Sequence, residues 1–344
     1  MKKYDTLLRL INAFGVSGKE IEVRNIITKE IEKHASKLYT DKMGNLIAYK
    51  KSKSKSPIKI MIAAHMDEVG LIIKNIEKDG KIRISTVGDL DPVVLLNEKV
   101  IIKTRKEDIK GIISTENISC SHSTEKNIEM RDMFIDAGLS KKELESKGAH
   151  IGSFISLEPN AEIIGNNNII AGKALDDRIG CFILIEAIKN LKNTNSELFF
   201  VFTVQEEVGL YGARTSSYSI DPDIAIAVDV TDCDDMTHNS SKALGKGPTL
   251  TIKDEEMISN PCIDDKIIEI AKKKKIPLQP DVSDSGTTDA INISISKGAV
   301  PSAVLGVPVR SLHTTVSLAH LDDIENAIKL LIEFLKDPPN VCAT

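Results

Sequence analysis

Apolar positions along this chain change period several times, and each change marks an element. In MKKYDTLLRLINAF, Leu7, Leu8, Leu10, Ile11 and Phe14 share one helical face, and the helix is expected to end near Gly15. Ser17 and Glu20 in SGKE have the spacing of a capping box, predicting a second helix with Ile21, Val23, Ile26, Ile27 and Ile31 as its apolar positions. YTDKMGNLIAYK at 39–50 reads as a hairpin arm turning at Met43–Gly44–Asn45. The run IKIMIAA at 58–64 is almost continuously apolar, as in a strand buried on both faces.

From about Gly70 to Gly165 the texture differs. LIIKNIE, KIRISTV, KVIIKT, GIIST and FISLEPN are short, β-rich and separated by turn residues, with one helical stretch from Ser140 to Lys147. This predicts a small barrel-like β domain over 70–165, inserted into a domain made of 1–69 and 166–344. After Gly172 the pattern gives a helix at 177–191, strands at 197–204 and 223–229, a helix near 262–275 and a strand at 299–307. A last helix follows Leu321, with Asp322 and Asp323 at its N-terminus. The expected fold class is α/β, with a mixed, mainly parallel sheet sandwiched by helices.

Length and composition narrow the function. A chain of 344 residues is expected to form about two domains. Its net charge of −5 gives no bulk attraction for nucleic acid. The basic runs at 50–56 and 272–275 read as a solvated hairpin tip and a helix end. Asp5, Arg9 and Asn12 interrupt any signal-peptide core, and no apolar run approaches the roughly 18 residues that span a membrane. Five cysteines, odd in number and without a C-x-x-C pair, suggest reduced thiols and a cytoplasmic protein.

The stretch TVQEEVGLYGA raises the chemical question. Alternating strand side chains point to opposite faces, so simple amphipathicity does not place charges at both Glu206 and Glu207. In an α/β sheet, working residues gather beyond the strands' carboxyl ends. Reading those ends gives His65 and Asp67, Glu206 and Glu207, Asp229, and His313, with Asp176 and Asp177 opening a helix. Singly, each has a bland reading as a cap, a solvated loop charge or a structural histidine. Together, imidazoles and carboxylates at one sheet edge are what Zn²⁺ or Co²⁺ would use. The arrangement matches no short-range zinc motif.

Those segments, AAHMDEVG, KALDDRIG, TVQEEVGLYGA, Asp229, GKGP at 245–248, SGTTDA at 285–290 and the His313 loop, resemble the M42 family of metallo-aminopeptidases over nearly the whole chain. The resemblance implies two divalent metals per subunit, bridged by Asp176. His65 and Asp229 would complete one metal's ligands, and Glu207 and His313 the other's. Glu206 would be the general base acting on a metal-bound water, and Asp67 would orient His65 from behind. It also implies short peptides as substrates, the inserted domain as a lid or dimerisation surface, and dimers that build a dodecamer. Neither nucleic acid nor membrane is expected as a partner.

The family's usual aromatic residue two positions before the last histidine, and its glutamate four after, are Ser311 and Ser317 here. Asp289 could line the site or brace a turn, and Arg310 could bind a substrate or pair with a sheet-edge carboxylate. Cys120 and His122, in the insert, read as structural or solvent-facing. Relatives labelled endoglucanase raise glycosidase activity as an alternative. That chemistry needs two carboxyls and favours aromatic stacking surfaces, whereas this chain has no Trp and 4% aromatics. A metal-stabilised peptide-binding scaffold is the remaining alternative.

Overall fold

A computed structural model describes residues 2–116, 128–236, 241–339 and Cys342. Cys120 and His122 lie outside the described residues. The chain begins the main sheet with β1 (Lys37–Thr40), β2 (Leu46–Lys50) and β3 (Lys59–His65). It then leaves to form β4 (Gly70–Ile76), β5 (Ile82–Val87), β6 (Lys99–Ile102), β7 (Ile109–Thr115), β8 (Met133–Asp136) and β9 (Phe154–Leu157). These six close an antiparallel barrel in the order β4-β5-β8-β7-β6-β9. The main sheet resumes with β10 (Glu162–Ile164), β11 (Ile169–Gly172), β12 (Glu197–Thr203), β13 (Ile224–Asp232), β14 (Thr249–Lys253), β15 (Gln279–Val282), β16 (Ser302–Arg310) and β17 (Ser317–His320). The helices are α1 (Asp5–Asn12), α2 (Ile21–Ile31), α3 (Lys141–Ser146), α4 (Leu175–Asn190), α5 (Tyr211–Ile220), α6 (Pro261–Lys274), α7 (Asp289–Ser294) and α8 (Leu321–Lys336).

The main sheet is mixed and runs β1-β2-β12-β3-β13-β16-β17-β11-β10, with β14 branching from β16 and β15 pairing with β14. Its parallel character is concentrated in the centre. β12, β3, β13 and β16 are mutually parallel, while both flanks are antiparallel. Four consecutive carboxyl ends therefore open on one edge, which is where the site forms.

Strand alternation explains why the central segments are apolar throughout. Ile60, Ile62 and Ala64 of β3 join the larger core, which also holds apolar residues of α1, α2, α4, α6 and α8. Met61 and Ala63 face the other way, against Ala213 and Ile220 of α5 and Ile293 of α7. A strand covered on both faces needs apolar residues at every position, so period two vanishes from its sequence. The barrel has its own core, including Leu71, Ile73, Ile84, Ile113, Ile135 and Ile155.

Barrel and sheet meet at a buried charged knot. Lys173 Nζ donates to Glu68 Oε1 and Oε2 at 2.8 and 2.6 Å, to Ala13 O at 3.2 Å, and to Ser156 Oγ of β9 at 3.1 Å. Arg178 lies 3.5 Å from Glu68 and donates from Nε to Met66 O at 2.8 Å. All three are at most 3% exposed. Removing one member leaves an uncompensated buried charge, so the knot holds the Met66–Glu68 turn in place.

Two expectations are corrected. Ser17 and Glu20 form no capping box, and α2 starts at Ile21 without a side-chain cap. The Ser17 hydroxyl instead donates to Asp67 Oδ2 at 2.6 Å, because a buried carboxylate is the stronger acceptor. A capping box does form at Ser140 and Glu143 before α3. The thiols are not all reduced either: Cys262 and Cys342 form a disulfide, while Cys181 and Cys233 are free and buried. The pair lies 80 residues apart, joining the start of α6 to the C-terminal segment, a proximity that local spacing cannot reveal. Closing so long a loop is expected to stabilise the fold by ~2–4 kcal/mol, so reduction should lower the melting temperature by several degrees. An unchanged melting temperature in reductant would show that the bond contributes nothing in solution.

Candidate metal centre

Of the eight residues expected at the sheet edge, six (His65, Asp176, Glu206, Glu207, Asp229 and His313) line one cavity of about 960 Å³, while Asp67 and Asp177 lie behind them. His65 ends β3, and Asp229 lies within β13. After β12 ends at Thr203, Gln205 takes a left-handed φ of 55°. That turn frees Glu206 and Glu207 from strand alternation, so both reach the cavity. Asp176 and Asp177 sit at the start of α4 with non-helical dihedrals. His313 follows β16 in a loop where Ser311 and His313 have φ of 59° and 53°. Non-glycine residues in this region cost energy and cluster at functional sites.

Asp176 stands between the two histidines. Its Oδ1 is 2.9 Å from His65 Nε2 and its Oδ2 is 3.2 Å from His313 Nε2. Glu206 Oε2 and Asp229 Oδ1 lie 3.9 and 3.8 Å from His65 Nε2, and Glu207 Oε2 lies 3.7 Å from His313 Nε2. Asp67, fully buried, touches the His65 ring mainly through its backbone. Its carbonyl is 3.2 Å from Nδ1, and its Oδ1 is 3.7 Å away. The Asp67 carboxylate instead accepts the Glu206 and Glu207 backbone N–H groups at 3.1 and 3.2 Å, and the Ser17 hydroxyl. Asp177 accepts the His65 N–H at 3.3 Å and the Gly180 N–H at 2.8 Å.

Proton affinities here are far from ordinary. Burial, followed by the charge of Asp176, drives the Glu207 carboxyl up to about 8 against the pull of both imidazoles. Burial and then Asp176 hold Asp229 up to about 8, opposed by His65. Glu206 lies well above the usual carboxylate range from burial, with Asp229 and Glu207 adding to it against His65. Burial also raises Asp176, yet the hydrogen bonds of His313 and His65 outweigh it and leave its carboxyl below the ordinary value. The hydrogen bond to Asp176 is the main reason that His313 rises to about 9. Burial opposes a charged His65, but Glu206 and the Asp176 hydrogen bond lift it well above its usual value.

Such a cluster is short of positive charge, and the residues fit a cation. The buried Glu207 Oε1 has no hydrogen-bond partner. Ligand atoms of His65, Glu206 and Asp229, and of His65, Asp176 and Glu207, fall within 4.8 Å of one another. An Nδ1 contact to a backbone carbonyl leaves Nε2 of His65 as the metal-facing nitrogen.

Ser317 Oγ donates to Ser311 O at 2.8 Å, so the two positions that depart from the family pattern contact one another and brace the His313 loop. Arg310 pairs with Asp235, with Nη2 to Oδ2 at 2.8 Å, and is absent from the cavity lining. Asp289 accepts the Thr203 hydroxyl at 2.6 Å through Oδ2, while its Oδ1 is buried without a partner. The glycines of GKGP hand their N–H groups to Asp323: Gly245 and Gly247 donate at 2.7 Å each, which pins that loop to α8. Glu68, Lys173 and Arg178 escaped the sequence reading, and Ser17 enters it only as a helix cap. The available signal was charge inside otherwise apolar segments, in HMDEVG and KALDDRIG.

Fold and cluster define a class: a metal-dependent hydrolase with its centre at the carboxyl edge of a mixed α/β sheet and a β-barrel inserted after the first central strand. The M42 glutamyl aminopeptidase model matches residues 44–330, and this chain belongs to the M42 peptidase family. The lysyl aminopeptidase of Pyrococcus furiosus is 34% identical over 347 residues, covering 98% of each chain. Among solved structures, an aminopeptidase from the archaeon Desulfurococcus kamchatkensis superposes with a TM-score of 0.94 at 36% identity, covering 98% of this chain and 95% of that one. The TET1 peptidase of Pyrococcus horikoshii, described as able to assemble into a tetrahedron or a large octahedral shell, has a TM-score of 0.87 at 32% identity, covering 97% and 99%.

Proposed function

We propose that this M42 aminopeptidase is dinuclear and removes N-terminal residues from short peptides. The observation that supports this most strongly is Asp176, with one carboxylate oxygen facing each histidine. In this reading His65, Asp176 and Asp229 would hold one cation, and Asp176, Glu207 and His313 would hold the other. Zinc or cobalt suits the donor set. When bound, such ions supply Lewis acidity that polarises the scissile carbonyl and eases ionisation of the attacking water.

The chain's own groups do the rest. Glu206 takes the proton from the attacking water and passes it to the leaving amine. Asp67 fixes both glutamate backbones, so Glu206 and Glu207 keep their separate tasks. Ser17 and Asp177 steady Asp67 and the His65 backbone. Residues 1–69 and 166–344 form the catalytic domain, and 70–165 is an inserted domain serving as a lid or dimerisation surface. Self-association, read here as dimers that build a dodecamer, is supported by TET1 structures described as a dodecamer and as able to form a tetrahedron or a large octahedral shell. Among the described residues no helix is long and apolar enough to cross a membrane. A cytoplasmic location belongs to the same reading, with the Cys262–Cys342 disulfide as the observation against it.

Glycosidase chemistry has less support, since among the described residues the cavity lining includes no Phe, Tyr or Trp. The test is aminoacyl-p-nitroanilide hydrolysis by chelator-stripped protein, before and after adding Zn²⁺ or Co²⁺. Metal-restored release is expected. Chelator-insensitive cellulose hydrolysis would favour the glycosidase, and bound metal without any peptidase activity would favour the scaffold.

A further inference from the structure

The cavity extends beyond the His–carboxylate cluster into a polar annex. Asp229 and Thr231 are two apart in β13 and so share a face, and both line the cavity. Across the sheet, β14 and β15 pair in parallel with Thr251 opposite Asp281, and these two line it as well. Asp281 is 1% exposed. Its Oδ2 accepts Lys242 Nζ at 2.9 Å and the Thr231 hydroxyl at 3.4 Å, and Lys242 also reaches Thr231 at 3.1 Å. Its Oδ1 is buried and has no hydrogen-bond partner.

Charge in the annex is lopsided. Apart from the clustered carboxylates, the cavity lining carries Asp89, Asp232, Asp254, Glu256 and Asp281 with Lys242 and Arg214, five formal negatives against two positives. Lys242 is already engaged by Asp281 and Thr231, so an incoming carboxylate would have to compete with those contacts. A cationic group gains both the field and an acceptor that lacks a partner. Apolar Ile291 and Val304 among the lining residues suit an alkyl stem.

We propose that this annex selects a cationic N-terminal side chain, lysine or arginine, whose terminal nitrogen donates to Asp281 Oδ1. The proposal rests on the aminopeptidase reading and deepens it. A charge-assisted bond in such a site is worth about tenfold or more in kcat/KM. Metal-loaded protein is therefore expected to cleave lysyl- and arginyl-p-nitroanilide at least about tenfold better than leucyl, with glutamyl slowest.

Raising the salt concentration should narrow that gap. Asp281→Asn should lower the Lys/Leu ratio about tenfold. Because that change disturbs a buried ion pair, Glu256→Lys at an exposed position is the companion variant, and it should lower the same ratio severalfold. A leucyl or glutamyl preference, or a Lys/Leu ratio unmoved by both variants, overturns the proposal while leaving the aminopeptidase intact. Silence across the whole panel counts against the aminopeptidase reading itself. In that case, calorimetry with lysinamide and leucinamide decides the annex separately: tighter lysinamide binding supports it, and equal binding overturns it.

Discussion

Glu206→Gln is expected to keep its metal and lose turnover by about 10²–10⁴-fold, the range that one positioned general base supplies. The substitution preserves the shape of a side chain that is only 10% exposed, and it removes the ability to take up a proton. Asp176→Asn should fail differently, losing metal as well as activity, because a neutral amide cannot serve both imidazole-facing positions as a carboxylate does. Metal content by mass spectrometry, measured beside kcat, separates the two outcomes. The comparison is needed because the ligand atoms of Glu206 also cluster with those of His65 and Asp229. Loss of metal from Glu206→Gln would make Glu206 a ligand and remove it as the base. Normal turnover by that variant would sink the assignment altogether.

Metal-stripped protein is expected to become less stable as pH rises, and metal-loaded protein to gain most from its metal at the high end. The sign follows from the clustered groups. Glu207 and Asp229 stand at about 8 in the folded chain, above their unfolded values of roughly 4.3 and 3.9. A raised carboxyl contributes stability that is complete below the unfolded value and is lost as pH climbs through the folded one. His313, raised from 6.5 to about 9, acts in the same direction, with its contribution lost as pH rises through that value. Cation binding requires these groups deprotonated, so its stabilisation grows over the same window.

Scanning calorimetry of stripped protein should therefore show a melting temperature lower by roughly 5 °C at about pH 8.5 than at about pH 6. Added Zn²⁺ should raise the melting temperature more at the higher pH. A stripped protein that melts at the same temperature across this range would mean that the cluster's carboxylates do not share a proton-hungry environment.

Legibility of the fold varied by element. Strands such as β3 and β12 were evident because a two-sided cover imposes continuous apolar sequence. Short edge elements were not. β17 and β10 are three or four residues long, while β14 branches off central β16 and β15 pairs only with β14. Their patterns are too brief to carry a period. Ser17 illustrates a local signal overridden by a distant one: its spacing to Glu20 suited a cap, but Asp67, fifty positions away, took its hydroxyl. The disulfide was hidden in the same way, since its 80-residue separation carries no local signature.

What the sequence determined by itself was the list of chemical groups and the sheet edge where they gather, although β13 runs on past Asp229 to Asp232 and Asp176 opens α4. His65, Asp67, Asp176, Glu206, Glu207, Asp229 and His313 can be named from order and pattern alone, because the apolar runs locate the strands and the helix start beside which these polar groups stand. Tertiary structure decided how those groups face one another. Gln205 in a left-handed turn brings two adjacent glutamates into one cavity. Asp67 spends its carboxylate on their backbones, and Ser317 braces the Ser311 carbonyl beside His313. The annex around Asp281 is likewise a product of strand register, since Thr231, Lys242, Thr251 and Asp281 come from separate parts of the chain. Periodicity records which face a residue occupies, whereas contacts between faces depend on the packing of the whole sheet.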